Sequence, residues 1–417
     1  MNKRDFVRTS MNGSMALLFG EQAWARYAAL PPQQLAPDEA FWRRIRSQYR
    51  LTDQFINLES GYFSMQSQPV LEAFIEKVRR VNYEHSHYMR TTQYEDKNAV
   101  KGRLAEMAGC APEELIITRN TTESLDLVIS GFDWQPGDEA IMSVHDYGAM
   151  LDMFGLVARR RGIVNRTITV PTDPQSDDEV VRVYEAAITP KTKLLMVCHM
   201  INVTGHILPV ARIADMAHSH GVPVMVDGAH AFAQLDFRIP DLHGDFYGAS
   251  LHKWLGTPLG AGILYVRRDR IAGLWPMFAD SPNIPADDIR RLNHTGTHPC
   301  ATDLGINDAI DFHNSIGIQR KEARLRWLQR YWTDQVRGTP GITLNTPSDP
   351  ARTCAIANVG VRNMTPRELA TALMDRYHVW TVAIGNPGAQ GVRVTPHLFT
   401  TTSELDQLVR ALKALAA

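Results

Sequence analysis

Four cysteines in 417 residues are too few and too scattered for a disulfide framework. Cys110, Cys198, Cys300 and Cys354 form no C-x-x-C pair and have no histidines at zinc-ligand spacing, which argues against a metal site. An excess of charge is also missing: 44 Lys and Arg face 45 Asp and Glu, for a formal net charge of −1. Without a basic surplus, neither nucleic acid nor an anionic membrane is the expected partner, and a small molecule is. No apolar run reaches the length of a membrane span. The G-x-G-x-x-G and G-x-x-x-x-G-K-[ST] fingerprints are absent, so a dinucleotide or a nucleoside triphosphate is poorly supported. There is no internal repeat and no low-complexity tract.

What remains is an ordinary globular composition, 44% hydrophobic and 21% charged, of a length suited to about two domains. Pro69 opens a helix in which Val70, Leu71, Phe74, Ile75, Val78 and Val81 are spaced for one buried face. Short apolar runs at 115–118, 140–144, 163–170, 194–198, 222–226 and 263–266 are mostly separated by helical segments at 122–130, 149–161, 178–188 and 210–220. Strands split by helices indicate a parallel sheet buried on both faces, the core of a doubly wound α/β domain over 66–295. After residue 296 a long helical region (304–336) leads to denser strands and helices, which predicts a smaller C-terminal α+β domain over 296–417. Residues 31–65 read as a segment joining that smaller domain.

Residues 1–30 form an extension with two readings. A basic start (Lys3, Arg4, Arg8), a short apolar stretch and the small residues Ala23 and Ala25 have the layout of a signal peptide. Lys3-Arg4-Asp5-Phe6 resembles a degenerate twin-arginine export motif, which would place the protein in the periplasm. The other reading is a solvated N-terminal helix on a cytoplasmic protein.

In a doubly wound sheet, ligands bind beyond the carboxyl ends of the strands, so the residues after each strand carry the chemistry. After 115–118 come Arg119-Asn120-Thr121-Thr122-Glu123-Ser124, hydroxyls and amides at a helix start, either an anion site or a plain N-cap. After 194–198 comes Asn202. After 222–226 comes Asp227-Gly228-Ala229-His230, where the carboxylate either meets a cation or caps local amides. Ser250-Leu251-His252-Lys253 follows, and a lysine in a corner of strand, turn and glycine loop is out of place unless it has a task. Pyridoxal phosphate uses all of these groups: a lysine to bond it, an acid for its pyridine nitrogen, an anion site and a flat partner for its ring. A desolvated lysine has a lowered pKa and can serve as nucleophile and then as general base.

These motifs, "SLHKWLGTPLGAGILYV" above all, then "VDGAHA", "NVTG", "RNTTES" and "GVRVTPHLFTT", resemble the class V aminotransferase family of fold-type I pyridoxal-phosphate enzymes. The likeness is greatest to the isopenicillin N epimerase-type branch, with cysteine desulfurases more distant. The resemblance implies Lys253 as the residue bonded to the cofactor and Asp227 as the partner of the pyridine nitrogen. It places His230 and Asn202 near the ring hydroxyl, and Thr121, Thr122, Ser250 and His252 around the phosphate. In "VHDYGAMLD" an ungapped match makes Tyr147 the ring-stacking residue, and a one-gap match makes it His145. "HTGTHP" implies Thr297 reaching the cofactor phosphate of a second subunit, hence a homodimer. Arg393 occupies the substrate-carboxylate position, where a planar bidentate donor suits; its other reading is a surface arginine at a strand edge. Ser60 and Gly61, in "NLESGYFS", match a loop near the substrate. The stretch before Arg393 has no cysteine, and Cys354 reads as a thiol within a strand, so the expected activity is not that of a cysteine desulfurase.

The expected function is chemistry at the α-carbon of an amino-acid substrate, of aminotransferase or epimerase type, with Lys253 removing the α-proton. The alternatives are a pyridoxal-phosphate β-lyase and a non-catalytic binding module on the same fold.

Overall fold

The computed structural model describes residues 15–16, 18–280 and 282–417. The export-motif residues Lys3 to Phe6 lie outside the described residues. A two-residue strand, β1 (Ile56–Asn57), precedes the main sheet, which comprises β2 (Leu115–Thr118), β3 (Glu139–Ser143), β4 (Val164–Ile168), β5 (Thr192–Cys198), β6 (Val224–Asp227), β7 (Phe246–Ser250) and β8 (Gly262–Val266). Their spatial order is β2-β8-β7-β6-β5-β3-β4. Only β8 runs antiparallel to its neighbours, so β2, β3, β5, β6 and β7 end on the same side of the sheet.

Alternation along each strand explains why both faces are covered. In β5, Leu194 and Met196 join a cluster with Leu125 and Val128 of helix Thr121–Gly131 and Phe154 of helix Gly148–Arg161. Leu195 and Val197 point the other way, into a cluster with Tyr184 of helix Asp177–Glu185 and Ile213 of helix Val210–Ser219. The expected doubly wound sheet is therefore present. Its edge strand departs from expectation: β4 is largely solvent-facing, with no strand on its outer side among the described residues.

The chain continues into β9 (Ile342–Leu344), β10 (Ala357–Val361), β11 (Val379–Trp380), β12 (Val382–Asn386) and β13 (Ala389–Val394). β12-β13-β10-β9 form an antiparallel sheet whose apolar face packs on residues of helices Ile318–Val336, Pro366–Tyr377 and Thr402–Ala416. β11 pairs in parallel with β1, tying residues 56–57 to this C-terminal layer. The long helical stretch divides into Cys300–Ile316 and Ile318–Val336 at Gly317, whose φ of 89° an L side chain rarely adopts. Cys354 is buried as expected but lies in a bend before β10, not in a strand.

The helix opened by Pro69 spans Gln68–Thr91, yet its apolar stripe is not buried as a whole: Val70 is, while Ile75 and Val78 remain 40% and 45% exposed. Upstream, Met15, Phe19 and Trp24 are buried, and Phe19 stacks on Phe41 at 4.8 Å. Among the described residues no helix is long and apolar enough to cross a membrane.

His199, His206, His230, His252, His313 and His397 are all held below the ordinary histidine value, chiefly by burial. Below about pH 6.5 the unfolded chain binds protons that these side chains refuse, so folding loses stability as the pH falls. Asp126, Asp146 and Asp227 are raised by burial and act in the opposite sense, but they are outnumbered. The urea midpoint is expected to be lower at about pH 5 than at about pH 7.5, and the reverse order would contradict this accounting.

Candidate active site

The common ends of β2, β3, β5, β6 and β7 open onto a cavity of about 300 Å³, at the lower end of the range for small-molecule sites. Its wall contains Thr121 and Thr122 after β2, Tyr147 after β3, Cys198 and Asn202 from β5, Asp227 and His230 from β6, and Ser250, His252 and Lys253 from β7. Gly61, Tyr62 and Arg393 complete it from the N- and C-terminal segments.

The helix start after β2 combines both readings open in the sequence. Asn120 is an N-cap, its side chain accepting from the Glu123 amide at 2.9 Å. The Thr121 amide donates to Ser250 Oγ at 2.9 Å and that of Ser124 to the Asn120 carbonyl at 3.2 Å, which leaves the Thr122 amide without a partner among the described residues. Thr121 Oγ1 and Ser250 Oγ are 2.8 Å apart, so hydroxyls and a free amide meet at a positive helix end. Two glycines keep the cradle tight: a Cβ on Gly262 would lie 2.7 Å from the Asn120 backbone, and one on Gly248 would lie 2.8 Å from Leu125.

Asp227 ends β6, in register with Cys198 of β5 and Gly248 of β7. Its Oδ1 accepts from the Ala229 amide at 2.9 Å. Burial raises its pKa, against the pull of that amide and of Lys253. Lys253 is half-buried, and loss of water lowers its amine to about 8, assisted by Arg393 and opposed by Asp227, Glu59 and Cys198. His230 Nε2 lies 3.1 Å from Lys253 Nζ, and burial followed by the Lys253 and Arg393 charges keeps that imidazole neutral.

Arg393 is not a surface arginine. Its Nε and Nη2 donate to Glu59 at 3.2 and 2.6 Å, and Nη1 donates to the Asn202 carbonyl at 3.2 Å. Both members of the Arg393–Glu59 pair are nearly inaccessible. Glu59 lies within "NLESGYFS" but nothing local in that stretch marks it as a partner of Arg393; a parallel bridge to Thr395, two residues beyond Arg393, brings the two together.

Two other expectations change. Ser60 is fully buried, its Oγ without a partner among the described residues, and does not form part of the wall; Gly61 and Tyr62 do, after the Ser60 and Gly61 amides bond Thr395 Oγ1. His145 also lies off the cavity, its Nε2 2.8 Å from the Pro387 carbonyl, whereas Tyr147 is 45% exposed on the wall. Thr297 is exposed and lines no part of this chain's own cavity.

The donor set suits an anionic, flat, nitrogen-containing aldehyde: a partly unsatisfied helix start, a buried carboxylate and a desolvated amine in one cavity. Asn202 Oδ1 and His252 Nδ1 are buried in its wall without hydrogen-bond partners among the described residues, as residues shaped to a polar group would be.

The description "Aminotransferase class-V" fits residues 58–411, which includes every one of these groups. The chain belongs to the class-V aminotransferase family. Pyridoxal 5'-phosphate is the cofactor of this family, and the site fits it. Among similar proteins, the isopenicillin N epimerase of Amycolatopsis lactamdurans is 31% identical over 396 residues, covering 90% of this chain and 98% of the relative. That of Streptomyces clavuligerus is 30% identical over 328 residues, covering 75% and 82%. A cysteine desulfurase of Haloferax volcanii is 27% identical, covering 87% and 90%. The fold matches the apo structure of a cysteine desulfurase from Thermococcus onnurineus with a TM-score of 0.79 at 20% identity, over 90% of this chain and 98% of that one. It also matches a C-DES mutant with glycine covalently linked to the PLP cofactor, with a TM-score of 0.80 at 21% identity, over 89% and 99%. The class-V chain is thus of fold type I, as its motifs implied.

Gly262→Ala would push a methyl into the Asn120 backbone and displace the helix start. The concentration of pyridoxal phosphate giving half-maximal absorbance is expected to rise roughly tenfold, or about 1.4 kcal/mol. An unchanged titration would show that the helix start is not the phosphate cradle.

Proposed function

We propose that this protein bonds pyridoxal 5'-phosphate through Lys253 and acts at the α-carbon of an amino acid, as an epimerase or an aminotransferase. The observation that carries the reading is the Lys253 amine, lowered to about 8 in one cavity with Asp227, Arg393 and the open helix start. When bound, the cofactor supplies an electron sink that stabilises negative charge at the substrate α-carbon.

The chain supplies the rest. Thr121, Thr122, Ser250 and His252 would hold the phosphate, Tyr147 would offer the ring a flat partner, and Asn202 with His230 would meet its hydroxyl. A buried carboxylate is costly without a cation, so Asp227 favours a proton on the ring nitrogen. Arg393 uses three of its five N–H groups on Glu59 and Asn202, which leaves two for the substrate carboxylate. A lysine near 8 is partly neutral at physiological pH and can take the α-proton, which an ordinary lysine at about 10.4 cannot do efficiently.

Likeness to isopenicillin N epimerases favours the epimerase branch. The cysteines disfavour a desulfurase: among them only Cys198 lines the cavity, and burial, then Asp146 and Asp227, push its thiol well above the ordinary value, away from the thiolate form. We extend the proposal to a homodimer. Ile75 and Val78 on one helix, with Tyr83 and Tyr94 nearby in sequence, remain exposed, and Thr297 is free to serve a second subunit's site.

Exchange of the substrate α-proton in heavy water, followed over a panel of L- and D-amino acids, tests the reading. Wild type should exchange it, and Lys253→Ala should not. Exchange persisting in Lys253→Ala would overturn the mechanism. Inverted substrate identifies an epimerase, a keto acid made with an amino acceptor an aminotransferase, and a keto acid with free ammonia a β-lyase. Arg393→Lys keeps a charge for Glu59 but loses the planar fork; it should raise the amino-acid concentration needed roughly tenfold while cofactor uptake is preserved.

A further inference from the structure

The residue after the cofactor lysine is a tryptophan with no surface at all. Trp254 is completely buried, its ring stacked on His397 at 5.5 Å and 14°. Its own carbonyl accepts from Nζ of the buried Lys321, and the His252 carbonyl accepts from the Ser64 amide at 3.1 Å. The segment carrying Lys253 is therefore held from the N-terminal and C-terminal parts of the chain at once, and the indole has no room to turn.

That indole donates from Nε1 to Nδ1 of His230 at 3.3 Å. An indole N–H can only donate, so Nδ1 must present a lone pair, and a neutral imidazole then carries its hydrogen on Nε2. The other side of the ring, Nε2, lies 3.1 Å from Lys253 Nζ. With the hydrogen already supplied by the imidazole, the lysine must supply the lone pair. An ammonium in the same place would set N–H against N–H.

We propose that Trp254 is a positioning residue that fixes the tautomer of His230 and thereby holds Lys253 as a free amine. Around Lys253, Asp227, Glu59 and Cys198 favour the ammonium and Arg393 opposes it; around His230 the charges are Lys253 and Arg393. The tautomer adds to this balance a directional contact that only the neutral amine can make. For turnover, which rests on the functional reading above, the consequence is a base that does not keep its proton. The substrate C–H bond gives its proton to the Nζ lone pair, His230 cannot accept it, and the resulting ammonium, whose hydrogens exchange with solvent, gives up one proton again, so that charge is restored and no oxidant is needed.

Nitrogen-15 NMR of histidine-labelled full-length protein, before and after pyridoxal phosphate is removed, tests this, with the His230 signals identified by their loss in His230→Gln. After removal, wild type should show a bare Nδ1 and a protonated Nε2 at His230; the opposite tautomer or a cationic ring would overturn the proposal. Trp254→Phe keeps a ring against His397 but deletes the N–H. In it His230 should become a mixture of tautomers, and the pH of half-maximal rate for capture of pyridoxal phosphate by Lys253 should rise by about one unit. An unchanged pH profile in a folded Trp254→Phe protein would also overturn it, and if that variant does not fold, the wild-type nitrogen shifts decide alone. Failure of Lys253 to capture the cofactor at all would contradict the functional reading, whereas the tautomer is read independently.

Discussion

Withdrawing the Lys253 amine from water disfavours its charged form, and the groups around it are arranged to that end. An isolated lysine so placed would be a liability. Here His230 meets it as a hydrogen donor, Arg393 repels its ammonium, and Asp227 and Glu59 keep the shift moderate, to about 8 and not lower. The outcome is an amine that is available as a nucleophile and base while remaining soluble in its surroundings. Removing any one of these partners changes the protonation of the others, because all share one small, poorly hydrated space.

The sheet supplies the rigidity this needs. Five strands end together, and each contributes its functional residue within a few positions of its last hydrogen-bonded pair, so the side chains inherit the precision of the ladder. Close approach is secured where side chains are missing: a Cβ on Gly228 would overlap Tyr247, just as those on Gly248 and Gly262 would invade the helix start. The substrate side is assembled differently. Arg393 comes from an antiparallel strand and Glu59 from the segment after β1, joined by a buried ion pair whose loss on one side typically costs about 3–5 kcal/mol. That pair aims the guanidinium and joins distant parts of the chain in one contact.

Much of this was legible from the amino acids. Apolar runs bounded by turns mark the strands of the main sheet, and the residues that follow those runs include Thr121, Asn202, Asp227, His230 and Lys253. The failures have physical causes. Helical spacing in Val70, Ile75 and Val78 identifies an apolar stripe but says nothing about what covers it, and here the stripe is only partly covered. Ser60 and Gly61 are adjacent and both buried, yet only Gly61 lines the cavity, because the chain bends at 61–62. His145 and Tyr147 differ by the same small step, and only the backbone path after β3 separates them. Glu59 and Trp254 acquire their roles from partners far away in sequence, Arg393 and His230, and no local pattern marks such pairs.

The central claim is that Lys253 is the residue to which pyridoxal phosphate is bonded. Reducing the protein with borohydride after adding the cofactor, then locating the modified lysine by peptide mass mapping, tests it directly. The account predicts a single pyridoxyl group, on the peptide containing Lys253. A modified Lys321 or surface lysine with Lys253 unmodified, or no modification at all, would contradict it.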